Sequence, residues 1–226
     1  MEPECSAHFR RCGNLMSLRE PMMKRFAFLL ACALSAAPVV AVAQAVPAQL
    51  RPAEAGWVSR VQDSLNAITV SKSRFQQIAP DGKRTTGTAW LSRPGKMRFD
   101  YDKPSPLLLV ANDGKIVYQD RDLGQVTTIP LDRTPLGLLL RPNLRFSGDV
   151  TVTGFKHDNG LVQITLVRTA NPSEGSLTLI LNEQPLTLRS WVVQDAQGRE
   201  TQIDLFDTQT GISLVPHLFD LPKEQN

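Results

Sequence analysis

Cysteine is absent from Gln44 onward: Cys5, Cys12 and Cys32 are the only three in the chain, and all precede Ala43. That excludes a disulfide or a thiolate metal site from the remainder. Histidine is almost as scarce there. His157 and His217 each lie near a turn or strand end, with no nucleophile motif beside them, so a Ser–His or Cys–His pair has no visible source. Asp120-Arg121-Asp122 lacks the further spaced oxygen ligands of a calcium loop and reads as a turn. There is no glycine-rich phosphate loop and no HExxH. No enzyme, cofactor or metal is therefore expected. Strong charge of one sign is also missing. The whole chain carries +3, and five of the 25 basic and three of the 22 acidic residues precede Gln44. A near-neutral remainder without a basic run gives no electrostatic reason to bind nucleic acid.

Long apolar runs are absent too, with one exception. Met23-Lys24-Arg25 is a basic start, Phe26 to Val42 is apolar or small apart from Ser35 and Pro38, and Ala41-Val42-Ala43 is a small-x-small exit. This is the pattern of a cleaved secretory signal peptide. Residues 1–43 are read as an upstream extension plus that leader, with translation from Met22 or Met23 as the alternative start. Residues 44–226 are read as one domain. Leu29-Leu30-Ala31-Cys32 partly matches a lipoprotein-processing site, which would instead anchor the chain through lipid at Cys32.

After a lead-in from Gln44 to Arg51, Trp57, Val61, Leu65 and Ile68 recur at helical spacing with Val58 alongside. Pro52 or Ala53 opens this helix, Glu54 favours its first turn, and the β-branched residues from Thr69 end it. Beyond it the texture is short strands punctuated by tight turns. These include Pro80-Asp81-Gly82-Lys83, Asn112-Asp113-Gly114-Lys115, Asp158-Asn159-Gly160 and Ala196-Gln197-Gly198-Arg199. Ten or eleven strands at roughly ten-residue intervals predict an antiparallel meander that curls into a barrel or half-barrel. Thr134 to Leu140 interrupts the meander as a short helix too apolar for a free surface, so it is expected to cover an apolar space.

One residue breaks the alternation. Counting by twos back from Arg93 gives Leu91, Ala89 and Gly87; after the Arg93-Pro94-Gly95 turn the count gives Met97, Phe99 and Tyr101. Arg93 thus shares the apolar face. A guanidinium aimed into an apolar interior is costly without acceptors. This points to a hydrophobic-ligand cavity with a polar latch; the alternative is a filled barrel core with Arg93 in a structural ion pair.

The stretch from Gly87 to Tyr101 (GTAWLSRPGKMRFDY) resembles the signature region of the periplasmic outer-membrane lipoprotein carrier family, LolA. Pro104 to Lys115, Tyr118 to Val126, Thr134-Pro135-Leu136 and Phe75-Gln76-Gln77 extend the resemblance, which spans roughly Glu54 to Leu221. It implies a mainly β, single-domain open antiparallel β-barrel of about eleven strands. An N-terminal helix and short helices form a lid over its hydrophobic cavity. Arg93 matches the family's strand arginine, which hydrogen-bonds lid residues when the cavity is empty. Its expected acceptors are carbonyls or hydroxyls around Leu136 to Leu140 or of the first helix.

The expected lining is Leu91, Met97, Phe99, Leu109, Ile116, Leu136, Leu138 and Leu139. Met97 and Phe99 depart from the aromatics common at those positions, yet both remain apolar. The implied partners are acylated lipoproteins, an inner-membrane lipoprotein-releasing ABC transporter and an outer-membrane lipoprotein acceptor, with the carrier a periplasmic monomer. A membrane-anchored acceptor or lipid-sensing relative of the same fold, or a carrier of another amphiphilic lipid, is the alternative function.

Overall fold

The computed structural model describes residues 44–223. The upstream extension, the leader and Cys32 lie outside the described residues. Helix α1 (Pro52–Ala67) begins at the expected proline. Its first turn is fixed by Glu54, whose carboxylate accepts from the Arg51 backbone N–H at 2.8 Å and from the Arg51 guanidinium at 2.6 and 2.9 Å. The helix stops where Ile68 turns extended.

Eleven strands follow. They are β1 (Val70–Ile78), β2 (Arg84–Ser92), β3 (Lys96–Tyr101), β4 (Leu107–Asn112), β5 (Lys115–Asp120) and β6 (Gln125–Pro130), then β7 (Val150–Asp158), β8 (Leu161–Arg168), β9 (Gly175–Asn182), β10 (Thr187–Asp195) and β11 (Glu200–Thr210). All belong to one antiparallel sheet in the order β6-β5-β4-β3-β2-β1-β11-β10-β9-β8-β7. Every neighbour is also adjacent in sequence except the β1–β11 pair, which closes the two halves at the centre. Asp113-Gly114 and Asn159-Gly160 both hold positive φ, the two-residue turn that matches strand twist. The outermost strands, β6 and β7, do not pair with each other, so the sheet is open. It is nevertheless strongly curled: Ile129 of β6 and Val193 of β10 line one common cavity although six strands lie between them.

Two features differ from the sequence reading. The interrupting helix is only one turn, α2 (Leu136–Leu139), preceded by a 3₁₀ turn at Leu131–Arg133. Pro135 and the short apolar run give it no room to extend before Pro142. The lead-in is also tied down: the Ala48 N–H donates to Val152 O at 2.8 Å, and Ala48 and Leu50 pack on the core.

The main core joins α1 (Val61, Leu65), α2 (Leu138, Leu139) and the inward faces of the strands. Phe75 fits this core because Gly87 faces it across β1–β2; a Cβ on Gly87 would stand 2.5 Å from the Phe75 ring. A smaller cluster lies on the other face of β4. Leu108 and Val110 there are covered by Phe219, with Leu214, Leu218 and Leu221 beside it. The covering segment is fastened by Asn112 Nδ2 donating to Phe219 O at 3.1 Å and Arg98 Nη1 to Leu218 O at 3.3 Å.

Candidate functional site

The interior is hollow in two places. One cavity, about 410 Å³, lies between the C-terminal end of α1 and the inner faces of β1, β2, β10 and β11. A second, about 450 Å³, lies between β3 to β6 and β10–β11, beneath Leu136. Met97, Phe99 and Trp191 line both. They form the wall between the cavities, with the Phe99 and Trp191 rings edge to face at 6.1 Å. Phe75 braces that wall, its ring 4.7 Å from Phe99 and 5.1 Å from Tyr101. The ring quadrupole favours edge-on contacts of this kind, which fixes the geometry of the partition.

The expected lining residues divide between the cavities. Leu91 and Leu139 face the first, Leu109, Ile116 and Leu136 face the second, and Met97 and Phe99 face both. Leu138 differs: it is 1% exposed and lines neither, because it packs in the core behind the α2 turn. Trp191, Val193, Ile203 and Leu205 of β10 and β11 were not in the expected set, although they supply the opposite wall. Their spacing by twos carried the signal, since Trp191/Val193 and Ile203/Leu205 share strand faces.

Arg93 stands at the mouth of the first cavity, one residue past β2. Its backbone N–H donates to Thr69 O at 2.8 Å, and its Nη1 donates to Leu65 O in the last turn of α1. Of the two acceptor regions expected, the guanidinium uses the first helix and not Leu136 to Leu140. The same turn reaches α2 through backbone, with the Gly95 N–H donating to Leu140 O at 2.9 Å. Helix α1 has no basic residue in its own last turn. Arg93 therefore brings from another strand the positive charge that a helix C-terminus favours. Among the described residues no carboxylate pairs with it, and its Nε–H is buried without an acceptor. Burial lowers its pKa to about 10, leaving it charged at neutral pH.

A second arginine, absent from the sequence reading, holds the segment before α2. Arg168 Nη2 donates to Thr134 O at 3.2 Å, while its buried Nε, unlike that of Arg93, forms an ion pair with Glu174 Oε2 at 3.7 Å. The signal was present: Val162, Ile164, Leu166 and Arg168 run by twos along β8, as Ala89 and Leu91 do along β2 with Arg93 next in the count. Gly137 lets this segment fold back tightly, since a Cβ there would meet Leu131 O at 2.2 Å.

Tyr101 hydroxyl donates to Gln77 Oε1 at 2.6 Å in the second cavity, and burial raises its pKa. No group of His, Cys, Asp and Glu that could hold a metal occurs among the described residues. The arrangement offers apolar volume, a braced aromatic partition and two helical covers, each held by an arginine.

Residues 66–222 match the model of the family described as outer membrane lipoprotein carrier protein LolA. The chain belongs to the LolA family. Two relatives named outer-membrane lipoprotein carrier protein are similar over most of its length. The one from Leptothrix cholodnii is 31% identical over 73% of this chain and 80% of its own. That from Methylococcus capsulatus is 30% identical over 71% and 81%. A solved structure titled a putative outer membrane lipoprotein-sorting protein domain, from Vibrio parahaemolyticus, has a TM-score of 0.45 at 10% identity, covering 73% of this chain and 95% of that one.

Proposed function

We propose that this LolA family member is a non-enzymatic periplasmic carrier. It takes the acyl chains of lipoproteins released from the inner membrane into its interior and delivers them to an outer-membrane acceptor. The supporting observation is the pair of cavities, with mainly apolar walls, that share Met97, Phe99 and Trp191. Residues 1–43 would direct secretion and be removed, leaving a monomer from Gln44. The inner-membrane partner would be a lipoprotein-releasing ABC transporter.

The energetics fit the layout. Each methylene buried is worth ~0.8 kcal/mol, so a C16 chain in water stands on the order of 12 kcal/mol above its bound state. A lipid-modified protein therefore needs an escort across an aqueous compartment. That escort must also let go. The Arg93 bond to Leu65 O, between a charged donor and a helix-terminal carbonyl, contributes ~1.5–3 kcal/mol to the empty state. Chains that displace the end of α1 break that bond, which lowers net affinity roughly 10- to 100-fold and favours hand-off.

The test is detergent-free purification from periplasm, with mass spectrometry for co-purifying triacylated proteins. The wild type is expected to carry them transiently and to release them to acceptor. Arg93→Leu is expected to fold, accumulate cargo and fail to pass it on. Absence of acylated proteins from both preparations would end the carrier reading. Normal release by Arg93→Leu would end the latch.

A further inference from the structure

The first cavity is amphipathic in an ordered way. Its inner end is aromatic and aliphatic, but towards the mouth the same faces of β1 and β11 change to hydroxyls: Ser71, Ser73, Thr208 and Thr210. A β-bulge produces this. Phe75 pairs with Leu205 and Arg74 with Phe206, but Lys72 pairs with Gln209 and Ser71 with Thr210. One residue of β1, Ser73, therefore spans two of β11, and Asp207 takes φ 52° at the break. An unbroken ladder would place Asp207 and Gln209 on the cavity face. The extra residue puts Thr208 and Thr210 there instead, which is how bulges re-aim side chains. A carboxylate is thereby kept out of an apolar chamber and replaced by groups that can donate.

Ser73 is 4% exposed, and its Oγ is 2.8 Å from Thr208 Oγ1. Two hydroxyls bonded to each other satisfy themselves when the cavity is empty, yet either can rotate to donate elsewhere. They provide hydroxyl donors on the cavity wall, where the other polar lining residues are Ser71, Thr210, Asn182, Thr187, Arg189 and Arg93. The ligand group that suits them is a neutral acceptor with no proton of its own.

We propose that the hydroxyl pair of Ser73 and Thr208 binds the ester carbonyl of an acylglycerol group. This would orient the lipid with its carbonyl at the mouth and its chain running inward to Phe99 and Trp191. The proposal rests on the reading of this cavity as a lipid site and adds what fixes the depth and polarity of the bound chain. An ester buried in an apolar chamber without donors loses its hydration uncompensated. The hydroxyl pair offsets that loss for an acylglycerol and gives less to an alkyl ether, whose oxygen is the weaker acceptor.

The experiment compares the full mature chain binding 1-monopalmitoylglycerol and 1-O-hexadecylglycerol, which share chain and glycerol but differ in the carbonyl. The readout is displacement of a fluorescent fatty probe. The wild type is expected to prefer the ester on the order of five- to tenfold. In Ser73→Ala/Thr208→Val the ester-to-ether ratio is expected to fall to near one. Thr208→Val alone, at an exposed position on β11, is expected to lower the ratio partway and guards against misfolding of the double variant. Equal affinity for the two ligands in the wild type, or an unchanged ratio in the variants, overturns the hydroxyl pair while leaving the lipid cavity standing. Binding of neither ligand overturns both.

Discussion

At the residue scale, Arg93 carries two opposed terms. Burial favours its neutral form, which costs stability at any pH where it stays charged, and the bond to Leu65 O at the end of α1 offsets part of that cost. With its pKa lowered to about 10 from an ordinary 12.5, the folded chain gives up the Arg93 proton before the unfolded chain does. Above pH 10 the unfolded state binds more protons, so this contribution to stability rises with pH; from pH 6 to 9 both states are charged and it is constant. Denaturant unfolding of wild type and Arg93→Leu should therefore give a stability difference that is flat from pH 6 to 9 and shifts towards the wild type above pH 10. A difference that slopes between pH 6 and 9 would place a second titrating partner on Arg93. Its inward face was legible in the sequence from alternation alone. Its acceptor was not, because strand parity says where a side chain points and nothing about which helix end lies above it.

At the element scale, the cover over the second cavity is the stretch Leu131–Leu140, whose one-turn helix is too short to be stable alone. Its order comes from outside: Arg168 on the Thr134 carbonyl, Gly95 on Leu140 O, and the burial of Leu138 and Leu139. Arg168→Met keeps the apolar stem and removes the charged donor. Amide hydrogen exchange at Gly137, Leu138 and Leu140 should then accelerate on the order of tenfold or more, while β1 and β2 stay unchanged. Unaltered exchange in that segment would show that leucine burial alone holds it. Composition disclosed that these leucines must cover something. It did not disclose the arginine, which comes from β8, 34 residues away.

At the scale of the whole molecule, strand number and antiparallel order followed from turn spacing, since nine of the ten neighbouring strand pairs in the sheet are consecutive in sequence. The β1–β11 pairing that makes one sheet of two halves is non-local, and no local pattern encodes its register or its bulge. The outer cluster was half legible. Leu107 to Ala111 is apolar on both faces, so β4 needed a cover on each, but that Phe219 supplies it depends on where the chain end returns. The decisive measurement is quenching of Trp191, the ring shared by both cavities, in a Trp57→Phe/Trp90→Phe background that leaves it the sole tryptophan. Titration with a monoglyceride brominated at mid-chain should quench its emission saturably, with one acyl chain brought against the Phe99–Trp191 wall. Emission unaffected by lipid that demonstrably binds the protein would mean that chains rest elsewhere and that the hollow interior is not their site.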